Sequence, residues 1–332
     1  MKGEIKMKPN PHYYKSGSSH LVQQPTVRRN AQRQRQTSQR VPNSADASVP
    51  VYNGLEIQNR TITRIDFNKI QVRKVLEYLQ HNPTVSIDSR RCIVLLHQIG
   101  KLKNKITINL AVIDRIINQL PDNFTNMHIG NAMYGLKNLD GADAATKRLV
   151  QALAEKVANS KAILNEQAIG NALYGLQNLD GTDPATKCLV QALTQKVEKS
   201  KAILNAQAIG NAMYGLKKLD GTDDTTKGLV QALTQKVTNS KAVLNAQEIG
   251  NAMYGLQKLD GTDAATKHLV KALAEKVANS NAVLNAQEIG NALYGLQNLD
   301  GTDNTTKRLV QALAQKVANS KAVLDAQAIG NA

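Results

Sequence analysis

The tetrapeptide Ile-Gly-Asn-Ala returns every 40 residues, at Ile129, Ile169, Ile209, Ile249, Ile289 and Ile329, without one insertion. A fixed period of this length describes a supersecondary unit copied in tandem, so it constrains the fold more than any local propensity does. The unit reads IGNALYGLQNLDGTDxxTKxLVQALxxKVxNSKAxLNAQx. Five full copies fill 129–328, and 329–332 start a sixth that stops inside its first helix.

Each copy carries two helix signals. In the second, Ile169, Ala172, Leu173, Leu176 and Leu179 fall on one face of a helix, with Asn165 placed as its N-cap. Asp180-Gly181 supplies a stop, with glycine at the left-handed C′ position. Asp183 caps a second helix, Pro184 sits in its first turn, and Leu189, Val190, Leu193 and Val197 form its apolar stripe. Ser200 to Asn205 returns the chain, with Ile203 and Leu204 expected to plug the gap between units. One hairpin cannot bury both stripes, so neighbours must stack, and the predicted fold is an all-α αα-hairpin solenoid. With the sixth unit's second helix missing, the last full copy is expected to expose an apolar face, favouring end-to-end self-association or fraying.

Upstream the pattern decays. Asp88 to Leu102 followed by Ile106 to Ile117 reads as a degenerate hairpin, and Val72 to Leu79 as an amphipathic helix before it. Residues 53–128 are therefore expected to form a helical N-terminal cap with one degenerate repeat. Residues 1–52 differ in kind: the first 50 hold five of the eight prolines and nine Lys/Arg against two acids, which predicts a disordered basic arm.

The segment Asn171-Ala-Leu-Tyr-Gly-Leu176, closing at Leu179, resembles the first-helix signature of the octotricopeptide and heptatricopeptide repeat families. It is closer still to a bacterial repeat of unknown function from obligate intracellular bacteria. The resemblance covers 129–332, with Asp88 to Leu102 more weakly. It implies helical-hairpin repeats and RNA binding; the nearly neutral, amide-rich array suits a protein-binding scaffold, such as a translocated bacterial effector, equally well. The period of 40 residues is longer than the family's, and the nuclease-like or RNA-associated domain of some eukaryotic members is absent.

Helical-wheel arithmetic separates buried from presented positions. Gln167, Asn171 and Tyr174 point away from the apolar stripe, as do Gln207, Asn211 and Tyr214, Gln247, Asn251 and Tyr254, and Asn291 and Tyr294. Two readings fit this ladder of amides and phenols. It could stack and hydrogen-bond RNA bases, or it could pack between successive first helices, with Gly170 and Gly175 admitting close approach.

The copies differ most on the second helix, at Arg148, Cys188, Gly228, His268 and Arg308. This is either a specificity position with a different residue per repeat or drift on a solvated face. The formal charge of +16 is uneven: +7 lies in residues 1–50, +5 in 51–128 and only +4 in the repeats. Lys187, Lys227 and Lys267 form a row that could track phosphates, whereas Lys196 and its counterparts read as solvated lysines. Arg28, Arg29, Arg33, Arg35 and Arg40 could clamp phosphates without sequence preference.

Chemistry is not signalled. The sequence has no Ser/His/Asp elbow, Walker loop, HExxH or CxxC, and Leu179 to Asp183 lacks the length and terminal Glu of a calcium loop. Cys92 and Cys188 fit a reducing compartment. No apolar run approaches a membrane span, and the first twenty residues hold no apolar stretch. The expectation is a soluble, cytoplasmic or host-translocated, non-enzymatic binding module without cofactor or metal. Its ligand is RNA on the first-helix face or, alternatively, a protein.

Overall fold

The computed structural model describes residues 53–324 and 326–330; segment 1–52, with its arginine cluster, and residues 331–332 lie outside the described residues. The described part begins with β1 (Leu55–Gln58) and β2 (Thr61–Ile65), an antiparallel hairpin, then α1 (Val72–His81) and β3 (Ser86–Ile87), which pairs parallel to β2. α2 (Ser89–Gly100) and α3 (Leu110–Asn118) follow. The cap is thus not purely helical: a three-stranded sheet, ordered β1-β2-β3, packs on α2 and α3. The hairpin turns on Asn59 and Arg60, at φ +47° and +60°, a two-residue turn with both central residues left-handed. Arginine is rare in that conformation, so the turn carries no glycine signal.

The repeats then supply the pairs α4 (Asn126–Leu136) and α5 (Ala144–Asn159), α6 (Glu166–Tyr174) and α7 (Pro184–Lys199), α8 (Ala206–Tyr214) and α9 (Asp224–Asn239). α10 (Ala246–Tyr254) and α11 (Ala264–Ala278), α12 (Ala286–Tyr294) and α13 (Asn304–Ala318), and the first-helix segment α14 (Ala326–Gly330) complete them. Even-numbered helices from α2 to α14 pack successively in one layer, and odd-numbered helices from α1 to α13 in a second. α2 and α3 occupy the two layers as the degenerate hairpin requires. Ile169, Leu173 and Leu176 of one layer and Leu189, Leu193 and Val197 of the other are fully buried, so the core runs continuously between layers.

Capping follows the sequence. Asn165 accepts from the Ala168 N–H at 2.9 Å, and Asp183 from those of Ala185 and Thr186. Two details differ. The first helix ends at Tyr174 and tightens into a 3₁₀ turn over Gly175–Asn178, and the only glycine with positive φ among the described residues is Gly54. Gly181 is therefore not a left-handed stop. A Cβ there would lie 2.5 Å from the Asp220 backbone nitrogen and 2.6 Å from the Leu219 Cα, so glycine is required by contact with the next repeat. The other difference lies in the return segment. It leaves α7 extended at Ser200, and successive side chains of an extended chain face opposite ways. Leu204 is buried, and Ile203 is turned outward, 64% exposed.

Candidate binding surfaces

The first-helix layer turns its aromatic residues on one another. Ring centroids of Tyr134 and Tyr174 are 6.1 Å apart, Tyr174 and Tyr214 5.6 Å, Tyr214 and Tyr254 5.6 Å, and Tyr254 and Tyr294 5.5 Å, at interplanar angles of 22–32°. His97 of α2 extends the column at 5.5 Å from Tyr134. It was hidden from the sequence because the degenerate unit does not keep the 40-residue register. A base held between two rings needs roughly 6.8 Å, two stacking distances of about 3.4 Å. The column is closer than that throughout, so the rings present edges rather than faces. Burial, with smaller contributions from Tyr174 and Tyr254, pushes the Tyr214 phenol up to about 12. Asn171, Asn211, Asn251 and Asn291 are half-buried alongside, and Gln167, Gln207 and Gln247 are exposed.

The lysine rows are tied into the stack of repeats. Lys147 meets Asp183 at 2.9 Å and Lys187 meets Asp223 at 2.6 Å. Lys227 meets Asp263 at 3.9 Å, and Lys267 meets Asp300 and Asp303 at 3.7 and 3.8 Å. Each lysine thus joins its repeat to the N-cap aspartate of the next. Lys196 is not solvated: it is buried, and its ammonium donates to the Ser160 carbonyl of the preceding repeat, as Lys236, Lys276 and Lys316 do to Ser200, Ser240 and Ser280. A carbonyl whose chain has just left a helix has no intrahelical partner, and the lysine supplies one. The serine hydroxyl completes the joint, as Ser200 Oγ donates to the Leu164 carbonyl at 2.6 Å.

On the second-helix face Arg148, Cys188, His268 and Arg308 are exposed and Gly228 half-exposed. Gly228, His268 and Arg308 line shallow clefts between successive helices. One of about 440 Å³ is bounded by Asp224, Gly228, Gln231 and His268, another of about 410 Å³ by Lys271, Glu275, Arg308 and Gln311. Arg148 is paired with Asp114 at 2.5 Å. Cys92 is buried, its thiol pushed up to about 12 by burial and then by Asp88, and Cys188 is exposed and free.

The return segments form a surface that the sequence reading assigned to the interior. Ile163, Ile203, Val243 and Val283 are 60–64% exposed and Val323 is 90% exposed, one per repeat; the first four are each flanked by an exposed Lys161, Lys201, Lys241 or Asn281 and by exposed Asn165, Asn205, Asn245 and Asn285. The signal was present in the register: an extended segment with apolar residues at adjacent positions must present one of them to solvent.

Among the described residues no group of three His, Cys, Asp or Glu could hold a metal ion, and no helix is long and apolar enough to cross a membrane. No family model and no curated protein matches the chain.

Proposed function

We propose that the chain is a non-catalytic solenoid scaffold that binds a protein partner along the return-segment edge. The observation that carries this reading is the row Ile163, Ile203, Val243 and Val283, large aliphatic side chains turned outward while the adjacent Leu164, Leu204, Leu244 and Leu284 fill the core. Successive helices in a layer lie about 8–10 Å apart, so the row offers apolar knobs at that interval. A partner segment laid across it would bury one knob per repeat, with flanking amides satisfying its polar groups.

A second reading, RNA binding, draws on the lysines beside the ring column: Lys137 lies 4.6 Å from the Tyr134 centroid and Lys217 4.0 Å from that of Tyr214, with Lys218 and Lys258 exposed nearby in sequence. RNA would then be held through phosphates and ring edges. The stacked faces and ion-paired lysine row support the protein reading over it. A photocrosslinking side chain at position 203 of the full chain should yield discrete protein adducts that one at position 191, exposed on α7, does not. Ile163→Ser, Ile203→Ser and Val243→Ser together should leave melting unchanged and lessen binding of the same partner captured through a tag. Affinity of the chain for a twenty-nucleotide RNA, falling steeply with salt and unaffected by these substitutions, would favour the second reading instead.

A further inference from the structure

The ring column leaves its polar atoms unused. Asn131, Asn171, Asn211, Asn251 and Asn291 are half-buried, and among the described residues none of their carboxamides has a hydrogen-bond partner. The hydroxyls of the five column tyrosines, Tyr134 to Tyr294, are likewise without a protein partner, and neither set is sealed from solvent. Other amides of the same units are committed. Asn165 caps α6, Asn178 donates to the Lys137 carbonyl, and Gln177 donates to the Tyr174 carbonyl at 3.1 Å. Stacking therefore accounts for the rings and not for the polar groups beside them.

These free groups are ordered. Asn171 and Tyr174 stand three residues apart on α6, side by side on one helix face, with exposed Gln167 one turn before Asn171. At the ring column the array advances 5.5–6.1 Å per repeat. An extended polypeptide advances about 6.4–6.8 Å for every two residues, less when it is twisted, and alternate residues turn their N–H and C=O to the same side. One carboxamide has both donors and an acceptor, so it can pair with the N–H and C=O of a single residue. The rows are uncharged, as the peptide group is. A phosphodiester chain would set a negative charge against each repeat, whereas only Lys137 and Lys217 stand over the rings.

We infer that the first-helix face binds an extended polypeptide segment through its backbone, two residues per repeat, with Asn171, Asn211 and Asn251 pairing with alternate residues of the segment. The segment runs across the helices, along the rows, and the tyrosine hydroxyls supply further donors beside it. Twist shortens the bound strand and takes up the difference between its advance and that of the array. This surface belongs to the first helices and is separate from the return-segment edge.

The test is selection of linear twelve-residue peptides from a random display library on the full chain, followed by titration of a selected peptide. Asn171→Leu, Asn211→Leu and Asn251→Leu should each weaken that peptide about fivefold with circular dichroism unchanged, as loss of one neutral hydrogen bond implies. Tyr214→Phe keeps the stack and removes one hydroxyl, and should weaken it about threefold. Methylating the peptide's backbone nitrogens one at a time should give an alternating profile, with affinity lost at every second residue and kept between. Ile203→Ser should leave the affinity unchanged. A flat methylation profile overturns the inference, as does a peptide whose binding falls with Ile203→Ser and survives the asparagine substitutions. So does a library that yields no peptide preferring the full chain over one with all three asparagines substituted. Enrichment of a random RNA pool that the asparagine substitutions abolish, in the absence of any such peptide, overturns it in favour of nucleic acid.

Discussion

Tyr174, Tyr214 and Tyr254 each stack between two tyrosine rings, and their direction was legible in the sequence where their partners were not. The wheel places Tyr214 away from Ile209 and Met213, which the structure reproduces with a half-buried ring. What a ring meets, however, depends on the distance to the next copy, and no periodicity within one unit contains that distance. The neighbours at 5.6 Å on both sides make Tyr214 a packing residue whatever else it does. Aromatic pairs contribute about 0.5–1.5 kcal/mol each beyond area burial, so Tyr214→Leu is expected to destabilise the chain by about 1–3 kcal/mol. Tyr214→Phe, which keeps both stacks, should lose under about 1 kcal/mol. Urea unfolding of the three proteins separates these outcomes. Equal stability of the leucine variant would show that the column is contact without consequence.

At the scale of one helix the glycines divide into two classes that the sequence distinguishes only by recurrence. Gly215 recurs in every copy, and a Cβ there would lie 1.9 Å from the Leu173 carbonyl oxygen and 2.6 Å from its carbon, both backbone atoms of the preceding repeat. Gly228 occurs once, within α9, and a Cβ there meets only Thr194 Cγ2 at 3.8 Å. Opposite signs are expected. Gly215→Ala forces two first helices apart and should cost about 3 kcal/mol, the upper end of overpacking penalties. Gly228→Ala removes a helix-interior glycine and should stabilise by about 0.5–1 kcal/mol. Thermal melts of both variants check this, and a destabilised Gly228→Ala would show that the cleft beside His268 needs its open floor. Helix starts were legible because Asn and Asp caps act within four residues. The sheet was not, because β1 and β2 are short and their turn uses Asn59-Arg60 rather than a glycine pair.

Across the whole molecule the 40-residue period was enough to give two stacked layers, since a single hairpin leaves both stripes uncovered. It could not give the joints between copies. Asp183 reads from sequence as an N-cap, and in the structure it and its counterpart Asp223 are each also the acceptor for a lysine of the preceding repeat. These joints set the acid stability. The hydrogen bond from Lys187, then that from the Thr225 hydroxyl, hold Asp223 at about 2, below its ordinary 3.8. Asp180, Asp260, Asp300 and Asp303 are likewise lowered, chiefly by hydrogen bonds from the threonines two residues on. A carboxyl lowered in the folded state binds its proton more readily once unfolded. Its contribution is therefore complete above about pH 4 and lost as the pH falls towards about 2. Melting temperature should hold steady from about pH 7 to pH 5 and drop across that window. Because stability in a solenoid depends on nearest-neighbour interfaces, the transition should also broaden as the joints protonate and repeats uncouple. Lys187→Gln removes the leading cause at Asp223, so it should lower neutral-pH stability only slightly, the pair being solvent-screened, and reduce the size of the acid-induced loss. Circular-dichroism melts across this range test both effects, and a melting temperature unchanged down to pH 2 would mean that these carboxylates do not couple the repeats.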